Sequence, residues 1–321
     1  VSSAYAGTLD NVKSRGQLVC GVTPGTAGFS APDDKNNWSG IDVDFCRALA
    51  AAIFNDPEKV KYAPLTAKER FTALQSGEID LLSRITTKTM SRDTTLGVNF
   101  IGTIYYDGQG FMVRKDLGVK DAKELSGAAV CTDTGTTTEL NITDFFKSNK
   151  LDYKPVVFEK KEEVISAYDA GRCDVVSTDI SGLQAYRVKL KNPDEHMVLP
   201  NVISKEPLTP VVRHGDDQWF DLVSWTRNCL INAEELGVNS QNVDEMMNSN
   251  NPSIKRLLGV EGEFGKSIGL KENWCANAIK KVGNYAELYD RNLGPDAIIT
   301  VDRGINNLWN NGGIMYAAPI R

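Results

Sequence analysis

Polar side chains that could bind a small charged molecule follow two predicted buried strands. Thr87 and Arg92 come after the predicted strand 79–83, and they offer a hydroxyl and a guanidinium fork to one anion, best a carboxylate. Asp179 comes after the predicted strand 174–177, and its carboxylate suits an ammonium group. Taken alone, Arg92 could equally be a solvated surface charge, and Asp179 could be an ordinary helix cap.

A third polar segment, 132–139, follows the predicted strand 128–131. The pair Thr136 and Glu139 has the spacing of a capping box, so a helix is predicted to begin there. The start of a helix exposes backbone N–H groups at the positive end of its dipole, and such a site attracts anions, although a simple helix cap has the same pattern. No Gly-Lys-Ser/Thr follows, and the glycines before residue 30 do not match GxGxxG, so neither a nucleotide triphosphate nor a dinucleotide is indicated.

The three segments are more informative together than apart. In open parallel sheets, ligands bind outside the carboxyl ends of the strands. One unit would then offer Arg92 and Thr87 to a carboxylate, and another would offer backbone amides and Asp179 to a carboxylate and an amine. The combination predicts a receptor for a zwitterionic α-amino acid held between two lobes.

Alternating strands and helices position these segments. Predicted elements follow the order β-α-β-α-β up to residue 83, and a similar order begins again after it. This pattern indicates parallel α/β sheets. The predicted strands are 17–22, 59–63, 79–83, 110–113, 128–131, 154–158 and 174–177. The predicted helices are 46–54, 67–77, 138–148, 161–171, 182–191, 217–236, 253–258 and 274–282. We predict an α/β protein of two lobes, with residues 1–107 plus 208–321 in lobe 1 and residues 108–207 in lobe 2.

Length and composition agree with two ordinary globular domains. At about 150 residues per domain, the 321 residues correspond to about two domains. The formal net charge is −6 without a concentrated basic region, which argues against a nucleic acid partner. The apolar stretch 48–54 is far too short to cross a membrane.

The six cysteines are even in number, and none lies in a CxxC or at metal-ligand spacing from a histidine, so no metal site is expected. Six cysteines allow 15 disulfide connectivities. We favour the local pairing Cys20–Cys46, Cys131–Cys173 and Cys229–Cys275, and the alternative is six reduced core cysteines in a cytosolic protein. Disulfides would place the chain in an oxidising compartment, and the small residues of 1–7 are typical of a start left by signal-peptide cleavage.

Nucleophilic catalysis has little support. GxSxG is absent, and neither His196 nor His214 has an evident Ser or Cys partner. His196 follows the turn-like segment 192–195 and is expected in solvent, and His214 is expected to be structural. The five tryptophans are dispersed along the sequence and are interpreted as packing residues.

Several segments resemble the periplasmic solute-binding proteins of polar amino acid ABC transporters, and most closely the general L-amino-acid-binding subgroup. The segments that carry the resemblance are 8–22, 38–46, 70–80, 213–219 and 312–321. The resemblance implies a type II periplasmic binding protein, or Venus-flytrap, fold with two crossover strands and an extended C-terminal helical region. Proteins of this kind close on their ligand by a hinge motion.

The resemblance also implies roles for individual residues. Arg92 and the Thr87 hydroxyl should bind the α-carboxylate, Thr136 should complete that cradle, and Asp179 should pair with the ammonium. Relatives often have a small polar side chain at the position of Ile85. The isoleucine side chain cannot replace it, so only the backbone of Ile85 should contact the ligand.

Residues that correspond to side-chain contacts in relatives carry a weaker implication. They are Thr23, Thr26, Arg70 and Lys161. Some relatives have bulkier walls where this chain has Thr26 and Ala67, and a roomy pocket would favour broad specificity.

The implied protein binds L-amino acids without a cofactor, delivers them to an inner-membrane ABC permease, and is a monomer in the periplasm after signal-peptide removal. Two alternatives use the same fold. A dehydratase would need a general acid or base in the cleft, for which Glu69, Lys161 or Asp179 are the candidates. A sensor ectodomain would need a membrane helix, and the sequence ends at Pro319-Ile320-Arg321 without one.

Overall fold

The computed structural model describes residues 7–321. The expectation of a processed start concerns residues 1–7, and residues 1–6 of that segment lie outside the described residues. In chain order the strands are β1 (Leu18–Val22), β2 (Ala31–Pro32), β3 (Trp38–Ser39), β4 (Val60–Pro64), β5 (Leu81–Leu82), β6 (Val98–Phe100), β7 (Tyr105–Asp107), β8 (Gln109–Arg114), β9 (Ala129–Asp133), β10 (Lys154–Phe158), β11 (Val175–Asp179), β12 (His196–Val198), β13 (Glu206–Leu208) and β14 (Val211–Arg213). The α-helices are α1 (Thr8–Arg15), α2 (Ile41–Phe54), α3 (Arg70–Ser76), α4 (Met90–Thr95), α5 (Thr137–Ser148), α6 (Lys161–Asp169), α7 (Ile180–Arg187), α8 (Asp217–Glu235), α9 (Val243–Met246), α10 (Pro252–Leu257), α11 (Phe264–Ser267), α12 (Trp274–Val282) and α13 (Tyr285–Leu293).

The strands form two five-stranded sheets. The first has the order β4-β1-β5-β14-β6, with β1 parallel to β4 and β5 and with β14 antiparallel to its neighbours. The second has the order β10-β9-β11-β8-β12, with β9, β10 and β11 parallel and β8 antiparallel to β11 and β12. Every residue of β1 and β11 is buried, as expected for parallel strands that helices cover on both faces.

Two short strands connect the sheets. β7 and β13 pair antiparallel, with Asp107 opposite Glu206. This arrangement confirms the two-lobed fold with two crossover strands. The predicted strand 110–113 lies within β8, which already belongs to the second sheet, and β7 makes the outgoing connection. The lobe boundaries at 107/108 and 207/208 stay a prediction.

The C-terminal region packs on the first lobe and reaches the first crossover strand. Helix α12 lies along α2. Helices α8 and α13 contact α2 and also contact each other. Arg227 Nε donates to the carbonyl of Thr103 at 2.7 Å, and the Tyr285 hydroxyl donates to the carbonyl of Ile104 at 2.6 Å. The extended C-terminal helical region therefore braces the chain just before β7.

The six cysteines form the three favoured pairs. Cys20–Cys46 joins β1 to α2, Cys229–Cys275 joins α8 to α12, and Cys131–Cys173 joins β9 to the segment before β11. Each disulfide stays within one predicted lobe, so all three leave relative movement of the lobes free.

Two expectations about single side chains are wrong. His196 is 4% exposed rather than solvated, because β12 begins directly at this residue and its Nδ1 lies 2.8 Å from the buried Tyr168 hydroxyl. Trp309 is 51% exposed rather than a packing residue, and it contacts Tyr316 edge to face.

Candidate functional site

A small polar cavity lies between the two sheets, at the carboxyl ends of β5, β9 and β11. We call it the inner cavity, and its lining residues are Arg70, Arg84, Ile85, Thr87, Asp133, Thr136, Thr137, Thr138, Lys161, Thr178 and Asp179. Its volume is about 20 Å³, which is room for about one water molecule. An amino acid can enter only when the lobes part or the lining side chains move.

The lobes touch each other at the edge of the cleft. Lys189 Nζ donates to the carbonyl of Gly25 at 2.6 Å, and Lys68 lies 3.8 Å from Glu159. Both contacts join residues on the two sides of the crossover strands, so the cleft is closed around the inner cavity.

Thr87 and Arg92 lie beside the second crossover strand. The Thr87 hydroxyl donates to Glu206 Oε2 at 2.5 Å, and Arg92 Nη1 donates to the carbonyl of Thr87 at 2.9 Å. Burial lowers the pKa of Arg92, while Glu206 and Asp179 oppose that shift. Arg92 is the third residue of α4, and it lies next to the inner cavity rather than in its wall.

Thr136 caps α5, as its spacing from Glu139 predicted. The Thr136 hydroxyl oxygen accepts from the Glu139 N–H at 3.2 Å and donates to the carbonyl of Asp133 at 2.8 Å. The Glu139 carboxylate turns instead to the N–H of Gly135 and the hydroxyl of Thr134, so only half of the capping box forms. The cap directs the N-terminal turn of this twelve-residue helix at the inner cavity, where its dipole favours a carboxylate.

Asp179 ends β11 and is 9% exposed. Asp179 occupies the N-cap position of α7, as the helix-cap alternative expected, but its side chain makes no capping hydrogen bond to that helix. Burial is the main cause that raises its pKa well above the usual value of a carboxyl group, and the neighbouring Asp107 and Glu206 add to the shift. A ligand ammonium would relieve both effects, because it supplies the missing opposite charge.

Ile85 has a strained backbone, with a φ of 35° in the left-handed region that β-branched residues avoid. Its N–H donates to Asp42 Oδ2 at 3.0 Å, and its carbonyl accepts from Arg70 Nη1 at 3.4 Å. The N–H is thus already used, and only the carbonyl remains for the predicted backbone contact. Asp42, which sequence reasoning missed, also accepts from Ser83, and burial raises the pKa of Asp42 to about 6.

Three buried cations, Arg70, Arg84 and Lys161, share the inner cavity. Arg84 Nε donates to the carbonyl of Leu65 at 2.9 Å, and Lys161 Nζ lies 5.7 Å from the centre of the Tyr186 ring. Within residues 7–321, none of the three lies within 4.0 Å of a carboxylate oxygen. Burial lowers the pKa of all three side chains, so an anionic or carbonyl oxygen brought by a ligand would stabilise the charged form of each.

Thr23 and Thr26 are not among the residues that line the inner cavity. Both are fully buried, their hydroxyl oxygens lie 3.1 Å apart, and the Thr23 N–H donates to Ser30 Oγ. Conversely, sequence reasoning missed Arg84 and Asp133. Both stand at the carboxyl ends of strands, so the rule that singled out Asp179 could have found them.

Two lobes joined by paired crossover strands, with a buried polar cavity between them, define a class of proteins that close on a small ligand. The family model of bacterial extracellular solute-binding proteins, family 3, matches residues 18–237. The chain belongs to this family. Within residues 7–321, the helices lack any segment both long and apolar enough to cross a bilayer.

Known proteins are similar over the whole chain. The general L-amino acid-binding periplasmic protein AapJ of Rhizobium johnstonii is 62% identical over 322 residues, covering 100% of this chain and 94% of that protein. The glutamate/glutamine/aspartate/asparagine-binding protein BztA of Rhodobacter capsulatus is 52% identical, covering 99% of this chain and 95% of that protein. A periplasmic binding protein from Brucella ovis, solved with glutathione bound, is 55% identical with a TM-score of 0.97, covering 99% of this chain and 100% of that one.

Proposed function

We propose that this chain is an extracytoplasmic receptor that binds L-amino acids of broad side-chain type between its lobes and delivers them to an inner-membrane ABC permease. The observation that carries the proposal is the inner cavity, to which both lobes contribute charged and hydroxyl groups suited to an α-amino acid. Relatives similar over the whole chain support it, since their names describe a general L-amino acid receptor and a receptor for four amino acids.

Binding uses complementary groups on the two lobes. Asp179 pairs with the α-ammonium, and the α-carboxylate is held by Arg92, the Thr87 hydroxyl and the N-terminal turn of α5 at Thr136. Because the ligand contacts both lobes only when they are closed, it favours the closed state. Residues 1–107 with 208–321 move against residues 108–207 about β7 and β13, and the closed form then docks on the permease.

The ligand side chain meets the buried cations. Arg70, Arg84 and Lys161 stabilise side-chain carboxylate and amide oxygens, and the small neighbouring residues leave room for other side chains. The Brucella protein was solved with glutathione, whose glutamyl part carries a free α-ammonium and α-carboxylate like those of an amino acid. Thr23 and Thr26 act indirectly, by supporting the loop that carries Pro24.

The receptor works in the periplasm after removal of its signal peptide, as a monomer, without a cofactor and without turnover. Membership of an extracellular family and three disulfides support that compartment. The neighbouring carboxylates and Lys161 bind rather than exchange protons with a reacting ligand.

Calorimetric titration with each of the twenty L-amino acids tests the proposal. We expect one ligand per chain, measurable affinity for several side-chain types, and recovery of every ligand unchanged by mass spectrometry. Binding of a single amino acid would contradict the broad specificity. Conversion of a bound amino acid to a dehydrated product would favour the dehydratase instead.

A further inference from the structure

Arg84 and Lys161 line a second cavity as well as the inner one. This outer cavity has a volume of about 260 Å³, against about 20 Å³ for the inner cavity. Both sides of the cleft form its walls, with Leu65 and Thr66 on one side and Glu162 on the other. The two cavities therefore meet at Arg84 and Lys161. The inner cavity lies on one side of this pair of cations, and the larger outer cavity lies on the other.

The cations at this junction are equipped to bind ligand oxygens. Arg84 is 3% exposed and Lys161 is 6% exposed, and no described carboxylate lies within 4.0 Å of either. The hydroxyl of the buried Tyr186, below Lys161, has no hydrogen-bond partner within residues 7–321. Burial of an unpaired charge or hydroxyl costs free energy, and an oxygen-rich ligand group at the junction would offset that cost.

The chemistry of the inner cavity determines which part of a ligand can reach the outer one. Under the proposed function, Asp179 takes the α-ammonium and Arg92 takes the α-carboxylate. Only the side chain is then left to pass between Arg84 and Lys161. An inner cavity of about 20 Å³ has no room for a long side chain, whereas the outer cavity has.

We infer that the outer cavity is a subsite for amino acids with extended side chains, and that its ligand class is γ-glutamyl peptides. In such a peptide the glutamyl residue keeps its free α-ammonium and α-carboxylate for the inner cavity. Its γ-amide oxygen accepts from Arg84 and Lys161, and the second residue occupies the outer cavity. An α-linked peptide has no free α-carboxylate on the residue that bears the ammonium, so it does not fit. This inference rests on the proposed function.

Titration of the full chain with L-glutamate, γ-L-glutamylglycine and α-L-glutamylglycine tests it. We expect γ-glutamylglycine to bind within about tenfold of L-glutamate, and the α-linked isomer to bind at least about 100-fold more weakly because it loses a charged partner. Binding of L-glutamate without binding of γ-glutamylglycine overturns the inference and leaves the proposed function intact. Failure of all amino acids to bind overturns the proposed function itself.

Blocking the outer cavity locates the subsite. Glu162→Trp fills it from one wall, and Pro64→Trp fills it from the opposite wall. Each should weaken γ-glutamylglycine by at least about tenfold and change L-glutamate by less than about threefold. Ser166→Trp, at an exposed position of the same helix and outside the lining, should affect neither ligand. Equal losses for both ligands in both blocked variants, or no loss in either, would overturn the assignment.

Discussion

The side-chain amide of Asn306 pairs with the backbone of Tyr106 in both directions. Its Oδ1 accepts from the Tyr106 N–H at 2.7 Å, and its Nδ2 donates to the Tyr106 carbonyl at 2.9 Å. Asn306 is 3% exposed, and it thereby occupies the place of a neighbouring strand beside β7. The C-terminal region thus holds the middle residue of a crossover strand about which the lobes must move.

Asn306→Ala should lower the free energy of unfolding by about 1–3 kcal/mol, because two backbone groups of Tyr106 lose their partner. Guanidinium denaturation measures the change. Asn310→Ala, an exposed asparagine in the same segment, is the matched control and should stay within about 0.5 kcal/mol of the unmodified chain. Equal stability of the two variants would show that the pairing contributes nothing.

Gly40, directly before α2, cannot carry a side chain. Its φ is 131°, and a Cβ there would lie 2.0 Å from the carbonyl oxygen of Phe29. Gly40→Ala should therefore destabilise the chain by at least about 3 kcal/mol. Gly77 has a φ of 80° with open space around it, so Gly77→Ala should cost only about 1–2 kcal/mol. Thermal and denaturant unfolding measures the loss of stability in each variant. Similar losses in the two variants would contradict the prediction.

Much of the fold could be predicted because its determinants are local. Buried runs such as β1 and β11, and helices with clear periodicity and caps such as α5 and α12, carry their signal within a dozen residues. Among the strands that were missed, β6 and β14 have three residues each, and β14 pairs with strands distant in sequence. Segments so short form strands through tertiary pairing, because their own residues show little preference for the strand conformation.

The candidate site was predictable to the extent that it follows strand ends. Thr87, Thr136 and Asp179 line the inner cavity because β5 of the first sheet and β9 and β11 of the second all have their carboxyl ends at the cleft. The burial of Arg84 and Lys161 is a different matter, because both line cavities whose walls come from the two sides of the cleft. Burial across a cleft depends on the relative position of two lobes, and local sequence patterns do not contain it.

Arg92→Ala tests the predicted carboxylate anchor. A hydrogen bond to a charged group contributes about 1.5–3 kcal/mol, so the affinity for L-amino acids should fall by about 10- to 150-fold. The fold should persist, since Arg92 lies at the edge of the site and, within residues 7–321, its side chain donates to the Thr87 carbonyl alone and packs on Phe71. Lys88→Ala, at an exposed cation of the same segment, should leave the affinity unchanged. Unchanged affinity in the Arg92 variant would refute the assignment.

Binding should release protons, because Asp179 is a carboxyl group whose pKa is raised in the free protein. Burial is the main cause, and Asp107, Glu206 and Asp133 raise the pKa further, whereas Lys161 lowers it. A ligand ammonium favours the ionised carboxylate, so the pKa of Asp179 falls on binding and a proton leaves the protein. The affinity should consequently rise with pH until it passes the raised pKa of the free protein, and then level off.

Calorimetry at one pH in phosphate and in Tris measures this release, since the two buffers take up a proton with different heats. The apparent binding enthalpies should differ between the buffers, and the difference should disappear in Asp179→Asn together with most of the affinity. A wild-type enthalpy independent of the buffer would mean that Asp179 is already ionised before the ligand arrives. An ionised Asp179 still pairs with an ammonium, so the loss of affinity in Asp179→Asn, rather than proton release, would then be the test of that pairing.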